Sequence, residues 1–175
     1  MKKIIVVLMC LCLVCSAALA ETVIELNWAD FGTEEILAAG ELQKIEIPGQ
    51  SSITYWIPSV MSSVDVSVID GPFKPTALYA TEDQAYSVAI FVAEVESAEQ
   101  YAKLMESEGG GVNFRNVKIN GVDCIAYEVE SAQMDSLIYP VSANVIVNFN
   151  CSPLNGDEGW DATKGAIFAS IQIAE

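Results

Sequence analysis

The run VNFRNVKINGVDCIAYEVE, residues 112–130, decides the fold. Asn120-Gly121 stands between two β-prone stretches, and that dipeptide suits a type I′ turn, whose two central residues need positive φ. The reading is a hairpin with strands over 112–119 and 122–130. A two-residue turn fixes its register: Ile119 opposes Val122, Lys118 opposes Asp123, and Val117 opposes Cys124. Ile119, Val117, Val122 and Cys124 then share one face. Lys118, Asp123, Ile125, Tyr127 and Val129 share the other, because side chains alternate along a strand.

Upstream, Ser97-Ala98-Glu99-Gln100 is a capping box that starts a helix. The helix runs to about Glu108 and places Tyr101, Leu104 and Met105 on one stripe. Gly109-Gly110-Gly111 stops it. A phosphate cradle would need a helix after the glycines, and here a strand follows. Further back, 76–80 and 86–94 read as two strands. The second, Tyr86 to Glu94, is apolar on both faces, as expected of a central strand covered on both sides. Leu42–Ile47 and Ile53–Ile57 form a hairpin about Pro48-Gly49, and Pro58 closes the second strand. Val64–Ile69 alternates and suggests a half-buried strand. Near the start, 22–28 suggests a short strand. Asp30 or Thr33 caps a short helix over 34–38 that Gly40 ends.

Downstream, 134–140 suggests a short strand that Pro140 makes peripheral. Asn144–Asn150 is a longer strand with Val145, Val147, Phe149 and Cys151 on one face. A final helix is expected from Asp157 or Glu158 to Gln172, with Trp160, Ile167 and Ile171 inward. The class is α+β, with a mainly antiparallel sheet.

The first twenty residues stand apart. Lys2 and Lys3 precede the apolar run Ile4–Val14, and Ala18-Leu19-Ala20 offers small residues for cleavage before Glu21. This is the pattern of a secretory signal peptide, too short an apolar run to span a membrane well, which takes about 20 residues. Cys10, Cys12 and Cys15 lie in it, but neither Cys12 nor Cys15 has the preceding small residue that lipidation requires. The expected organisation is a signal peptide over 1–20 and a single domain over 21–175, secreted or associated with the cell envelope, with no stable membrane insertion after cleavage.

Composition narrows function. The chain carries 24 acidic against 8 basic residues, a formal charge of −16, and losing Lys2 and Lys3 makes it more negative. Such a field repels nucleic acid and anionic lipid. The chain has no histidine, which removes Ser-His-Asp and Cys-His catalysis and the commonest transition-metal ligand. Past the signal only Cys124 and Cys151 remain. With 134–140 between their strands, the two lie roughly 9–10 Å apart, two strand spacings, beyond the reach of a disulfide. Buried thiols are the better reading. Asn155, Asp157, Glu158 and Asp161 offer oxygen ligands for calcium but lack the rhythm of an EF-hand; helix-start roles explain them more simply. No cofactor is expected. The remaining route to catalysis is a pair of carboxylates, and no pair stands out. Trp28, Trp56 and Trp160 either line a groove or each fill a core corner.

The order of elements also carries a resemblance. It rests on Leu26-Asn-Trp-Ala-Asp30, Ile45-Glu-Ile-Pro48, Tyr55-Trp-Ile-Pro58, Thr81-Glu-Asp83, Tyr101-Ala-Lys-Leu-Met105, Asn120-Gly121, Asn148-Phe-Asn-Cys-Ser-Pro153 and 166–172. Together these resemble the small exported Firmicutes proteins with a PsbP-like fold. The resemblance implies an α-β-α sandwich around a mainly antiparallel sheet. It also implies a non-enzymatic role, since proteins of the wider fold, a photosystem subunit and a Ran-binding import factor among them, act as protein-binding or assembly modules.

The functional expectation is therefore an exported, non-enzymatic binding or accessory protein whose partner is an unknown protein or small ligand. A carboxylate-dependent hydrolase and a subunit of an envelope complex are the alternatives. The candidate partner-binding face is Ile125, Tyr127 and Val129. If both long helices cover the Cys124 face, these three residues are either covered by residues 22–40, with Trp28 and Leu37 packing there, or left partly open.

Overall fold

A computed structural model describes residues 23–71 and 74–174. The signal-peptide reading of 1–20 falls outside them. Eleven strands are seen among the described residues: β1 (Ile24–Leu26), β2 (Gly40–Ile45), β3 (Ile53–Pro58), β4 (Met61–Ser63), β5 (Ala77–Thr81), β6 (Ser87–Glu94), β7 (Val112–Ile119), β8 (Val122–Val129), β9 (Met134–Ser142), β10 (Val145–Ser152) and β11 (Gln172–Ile173). Two short helices, α1 (Trp28–Phe31) and α2 (Glu34–Ala38), precede β2. Two longer ones are α3 (Ala98–Ser107) and α4 (Glu158–Ala169). None of the helices is long and apolar enough to cross a membrane.

Eight strands form one sheet in the order β1-β7-β8-β9-β10-β6-β5-β4, and β11-β3-β2 form a second. Every pair is antiparallel except β1 with β7. The β7–β8 hairpin has the expected register, Ile119 to Val122, Lys118 to Asp123 and Val117 to Cys124. Asn120 and Gly121 both take positive φ, 48° and 82°. Asn120 also closes the molecule: its Nδ2 donates to the carbonyls of Ala169 (2.7 Å) and Ile171 (2.9 Å), and its Oδ1 accepts from the Trp28 N–H (2.8 Å). One turn residue thus ties the N-terminal segment to the end of α4.

The large sheet is buried on both sides, which makes the molecule three-layered. On the Cys124 face, Val117, Leu137, Tyr139, Val147, Phe149 and Cys151 pack against Ile167 and Phe168 of α4 and against Ile53, Tyr55 and Ile57 of the small sheet. On the other face, Tyr127, Val129, Ile138 and Ile146 pack against Tyr101, Ala102 and Met105 of α3. The two long helices therefore take opposite faces, not the same one, as the α-β-α arrangement requires. Cys124 and Cys151 are unpaired and buried, and β9 separates their strands.

Four expectations are corrected. Strand β9 is central, between β8 and β10, despite Pro140. Val64–Ile69 does not form a strand; Asp65 accepts a hydrogen bond from the Ser67 N–H (2.8 Å) and starts a turn of 3-10 helix over Val66–Val68, while the strand lies earlier, at β4. Asp and Ser compete with ladder bonding in this way wherever solvent reaches the backbone. The last helix stops at Ala169. Ser170 is buried there; its Oγ accepts from the Trp56 N–H (2.7 Å) and donates to the Ile167 carbonyl (2.6 Å), which frees the chain to pair β11 with β3. Finally, residues 23–40 do not cover the Tyr127 face. Trp28, Phe31 and Ile36 pack on the Cys124 side, where Trp28 meets Trp56 with centroids 6.4 Å apart, and Leu37 is exposed.

Candidate functional site: a cleft where two strands part

Tyr127 and Val129 are 1 % and 4 % exposed beneath α3. Tyr127 stacks on Phe114 (centroids 5.2 Å) and accepts a hydrogen bond at its hydroxyl from Asn148 Nδ2 (2.9 Å). Burial pushes its phenol up to about 12. These two members of the expected face are core, and they offer nothing to a partner. Ile125 alone is half-buried. It lies at the floor where two depressions meet.

The larger depression has a volume of about 670 Å³ and is bounded by Val23, Glu96 to Glu99, Asn116, Asp123 to Ile125, Pro140, Ser142 and Ala143. The smaller, about 250 Å³, continues it between α3 and β7 past Lys103, Phe114 and Arg115. Ile125, Glu99 and Asn116 belong to both. The result is one groove along the α3 side of the hairpin.

The larger part lies at the end of the β8–β9 ladder. Their pairing runs from Val129–Met134 to Ile125–Ile138 and stops. Beyond it, Val122–Cys124 still pairs with β7, and Tyr139–Ser142 still pairs with β10. Hydrogen-bonding direction in an antiparallel pair alternates residue by residue. The I′ turn closes on a hydrogen-bonded Ile119–Val122 pair, so Val122 and Cys124 address β7. Asp123 and Ile125 then address β9. Ile125 finds Ile138 there; Asp123 faces the opening. By the same alternation Pro140, two residues past Ile138, also faces the opening. A proline has no N–H to donate, so its place in a central strand falls where no neighbour asks for one. A bulge between Val145 and Ile146 bends the β9–β10 pair at the same level and turns β9 away.

Glu96, Glu99 and Asp123 are the charged lining of the larger part, and Lys103 and Arg115 line the smaller part beside Glu99. Glu99 is held below the usual carboxylate range by the N–H at its own position and by Ser97. Asp123 meets Lys118 at 2.7 Å on the outer rim, where its side chain is 86 % exposed. Ser97 caps α3, its Oγ accepting from the Gln100 N–H (3.2 Å).

Other residues singled out in the sequence have structural roles. Asp157 caps α4 by accepting from the Trp160 N–H (2.8 Å), and Asp161 pairs with Lys164 (3.1 Å). Buried Lys164 also donates to the Leu154 carbonyl (2.7 Å) and approaches Asp135 (3.6 Å), which pairs with Arg115 (3.2 Å). Trp28, Trp56 and Trp160 all belong to the Cys124-side core and line no common groove. Burial raises both thiols, Cys124 to about 12 and Cys151 further. Sequence reasoning missed Glu96, Glu99 and Ser142 as groove residues. Pro140 was the available signal, a proline inside a strand.

No protein-family model matches the chain. A search of curated proteins finds no match. Among solved structures, the chain is similar to the solution structure of cyanobacterial PsbP (CyanoP) from Synechocystis sp. PCC 6803, with 12 % identity, a TM-score of 0.50, and 78 % of this chain and 94 % of that chain covered. A crystal structure from Bacteroides thetaiotaomicron VPI-5482 aligns with 14 % identity and a TM-score of 0.40, over 70 % of this chain and 45 % of that one. The likeness to the cyanobacterial protein is one of fold: the chain has a PsbP-like α+β fold.

Proposed function

We propose that this chain is an exported, non-enzymatic binding or accessory protein of the cell envelope or extracellular space, and that it engages its partner through the groove floored by Ile125. The observation that carries the reading is the depression of about 670 Å³ beyond the last β8–β9 pair, with half-buried Ile125 in its lining. A half-buried Ile at the centre of the opening adds an apolar anchor of the kind that dominates association energies.

The rest of the chain supports this reading over catalysis. Histidine is absent from the sequence. A thiol raised to about 12 holds almost no thiolate at neutral pH, so Cys124, although it borders the cleft, is a poor nucleophile. The carboxylates Asp157, Asp161 and Asp135 are engaged as a cap or in ion pairs. The acidic surface suits a partner of opposite charge. Export rests on the Lys2–Ala20 pattern.

The test is capture of the partner from the host's envelope and medium, comparing the native protein with Ile125→Arg. A polypeptide retained by the first and lost from the second, with circular dichroism unchanged, supports the groove. Equal retention by both refutes it.

A further inference from the structure

We infer that the cavity between the start of α4 and the β5–β6 turn binds an alkylammonium group, whose cation meets the Asp157 carboxylate and the Tyr86 ring and whose apolar stem lies against Pro58, Val60 and Met61. The site is separate from the Ile125 groove and does not rest on it. Tyr86 and Trp160 pack on the Cys124 side of the large sheet, whereas the groove runs along the α3 side.

The cavity has a volume of about 260 Å³ and gathers four parts of the chain: Pro58 at the end of β3, Val60 and Met61 at β4, Tyr86 before β6, and Asp157 and Trp160 at the start of α4. Its aromatic residues are held in place. Trp160 donates from Nε1 to the Pro153 carbonyl (2.8 Å), and its ring lies so close to Gly156 that a Cβ there would have no room. Tyr86 is fixed by the turn before it: Thr81 Oγ1 accepts from the Tyr86 N–H (3.2 Å) and donates to Asp83 (2.7 Å), which accepts from the Ala85 N–H (3.1 Å). Chemistry then selects the occupant. Pro58, Val60 and Met61 give an apolar wall, and Val60 is 73 % exposed. The rings of Tyr86 and Trp160 lie with centroids 4.8 Å apart, and the faces of such rings attract cations. Asp157 carries the charge of the lining, and no Lys or Arg lines it among the described residues. Asp157 Oδ1 is committed to the α4 cap, accepting from the Trp160 N–H (2.8 Å), while Oδ2 meets the Tyr86 hydroxyl at a long 3.4 Å. A carboxylate oxygen can accept twice, so Oδ2 keeps capacity for a charge-assisted donor. The positive end of α4 is offset by the Asp157 cap and by Glu158 in the first turn. The Tyr86 phenol is pushed up, first by the Asp157 charge, then by burial, and also by Asp83, so the charges acting at the ring are carboxylates. An anion would be repelled here, and a neutral alkyl group would leave Oδ2 unmatched. An ammonium on a short alkyl stem meets the acid, the rings and the apolar wall together.

The probe is n-butylammonium, the stem and cation of a lysine side chain, titrated into uniformly 15N-labelled protein. The expected result is saturable shifts at the amides of Tyr86, Asp157, Gly159 and Trp160 and at the Trp160 indole N–H, with a dissociation constant on the order of 1–10 mM, as suits so small a ligand. n-Butanol and butyrate should each bind at least about fivefold more weakly. Asp157→Asn keeps the helix cap, since Asn serves there as well as Asp, and removes the charge. It should lower the affinity for butylammonium by about fivefold or more and leave thermal unfolding nearly unchanged. The comparison with butanol uses the native protein and decides the charge claim even where the variant is destabilised. Acetyl-Gly-Lys-Gly-amide distinguishes two sources of the group: shifts at the same amides assign the site to a lysine of a polypeptide, and shifts with butylammonium alone assign it to a free amine. Equal binding of butylammonium and butanol, undiminished affinity in a folded Asp157→Asn, or no saturable shift at these residues overturns the inference. None of these outcomes bears on the Ile125 groove, which the capture experiment tests by itself.

Discussion

Ile125 and Ile138 form the last cross-strand pair between β8 and β9, and the groove opens where that pairing ends. Two residues beyond Ile138 stands Pro140, and two residues before Ile125 stands Asp123. On this account Pro140 is tolerated because its missing N–H would point into the opening. Pro140→Ala should therefore change stability by less than about 1 kcal/mol, within the usual range for relaxing a proline. Ile138→Pro, one rung inside the paired region, should cost several kcal/mol by removing a ladder bond. Urea unfolding of the two variants checks this; similar losses in both would mean that Pro140 sits in a fully paired strand.

Tyr127 is a packing residue, and its substitutions should behave as such. Tyr127→Asp places a carboxylate beneath α3 and should destabilise by about 3 kcal/mol or more. Tyr127→Phe removes only the hydroxyl that Asn148 donates to and should cost about 1 kcal/mol. Thermal unfolding distinguishes them. A folded, stable Tyr127→Asp protein would return this residue to the surface.

Asn120 makes three hydrogen bonds from a turn position of positive φ. Asn120→Gly keeps the turn and loses the bonds, and should cost roughly 2–3 kcal/mol. Asn120→Ala loses both and should cost more. A loss under about 0.5 kcal/mol for Asn120→Gly, on the same scale, would show that the tie between Trp28 and the end of α4 contributes little.

The thiols and buried phenols set an alkaline limit. Burial raises Cys124, Tyr127 and Tyr139 each to about 12, and raises Cys151 as well. An unfolded thiol ionises near 8.5 and an unfolded tyrosine near 10. Above those values the unfolded state gives up protons that the folded state keeps, so stability is full below about pH 8 and falls as pH rises toward 12. The two thiols alone should remove a few kcal/mol by pH 10. Urea midpoints at pH 7 and pH 10 test the sign, and a Cys124→Ala, Cys151→Ala variant should lose the thiols' share of the slope. In native protein both thiols should resist iodoacetamide at pH 8, and both should react once unfolded without reductant.

Much of this was legible in the residues. The Asn120-Gly121 turn and two-residue periodicity gave the hairpin, its register and the two faces. Ser97 and Gln100 gave the start of α3. What covers each face was not legible, because local periodicity records that a face is apolar and not which element lands on it. That is why Tyr127 and Val129 looked like a candidate surface. Pro140 suggests a peripheral strand, whereas β9 is central, and the proline falls just past the end of its ladder with β8. Val64–Ile69 alternates as a strand does, but Asp65 and Ser67 satisfy each other locally. Glu96 and Glu99 read as ordinary helix-start acids, and only the long-range placement of β8 beside α3 makes them walls of a cleft.

Export is tested on material from the host. Sequencing of the secreted or envelope fraction should give Glu21 as the first residue. Full-length chain retained in the cytoplasm would contradict this.

The central claim is that the opening beside Ile125 is where a partner sits. The most direct measurement is site-specific photo-crosslinking in the host, with a benzophenone amino acid at Ser142 or Asn116 on the groove and at Val68 or Leu42, which are exposed elsewhere. The account predicts one discrete polypeptide adduct from the two groove positions and none from the other two. Adducts of equal yield from all four, or none from the groove, would contradict it.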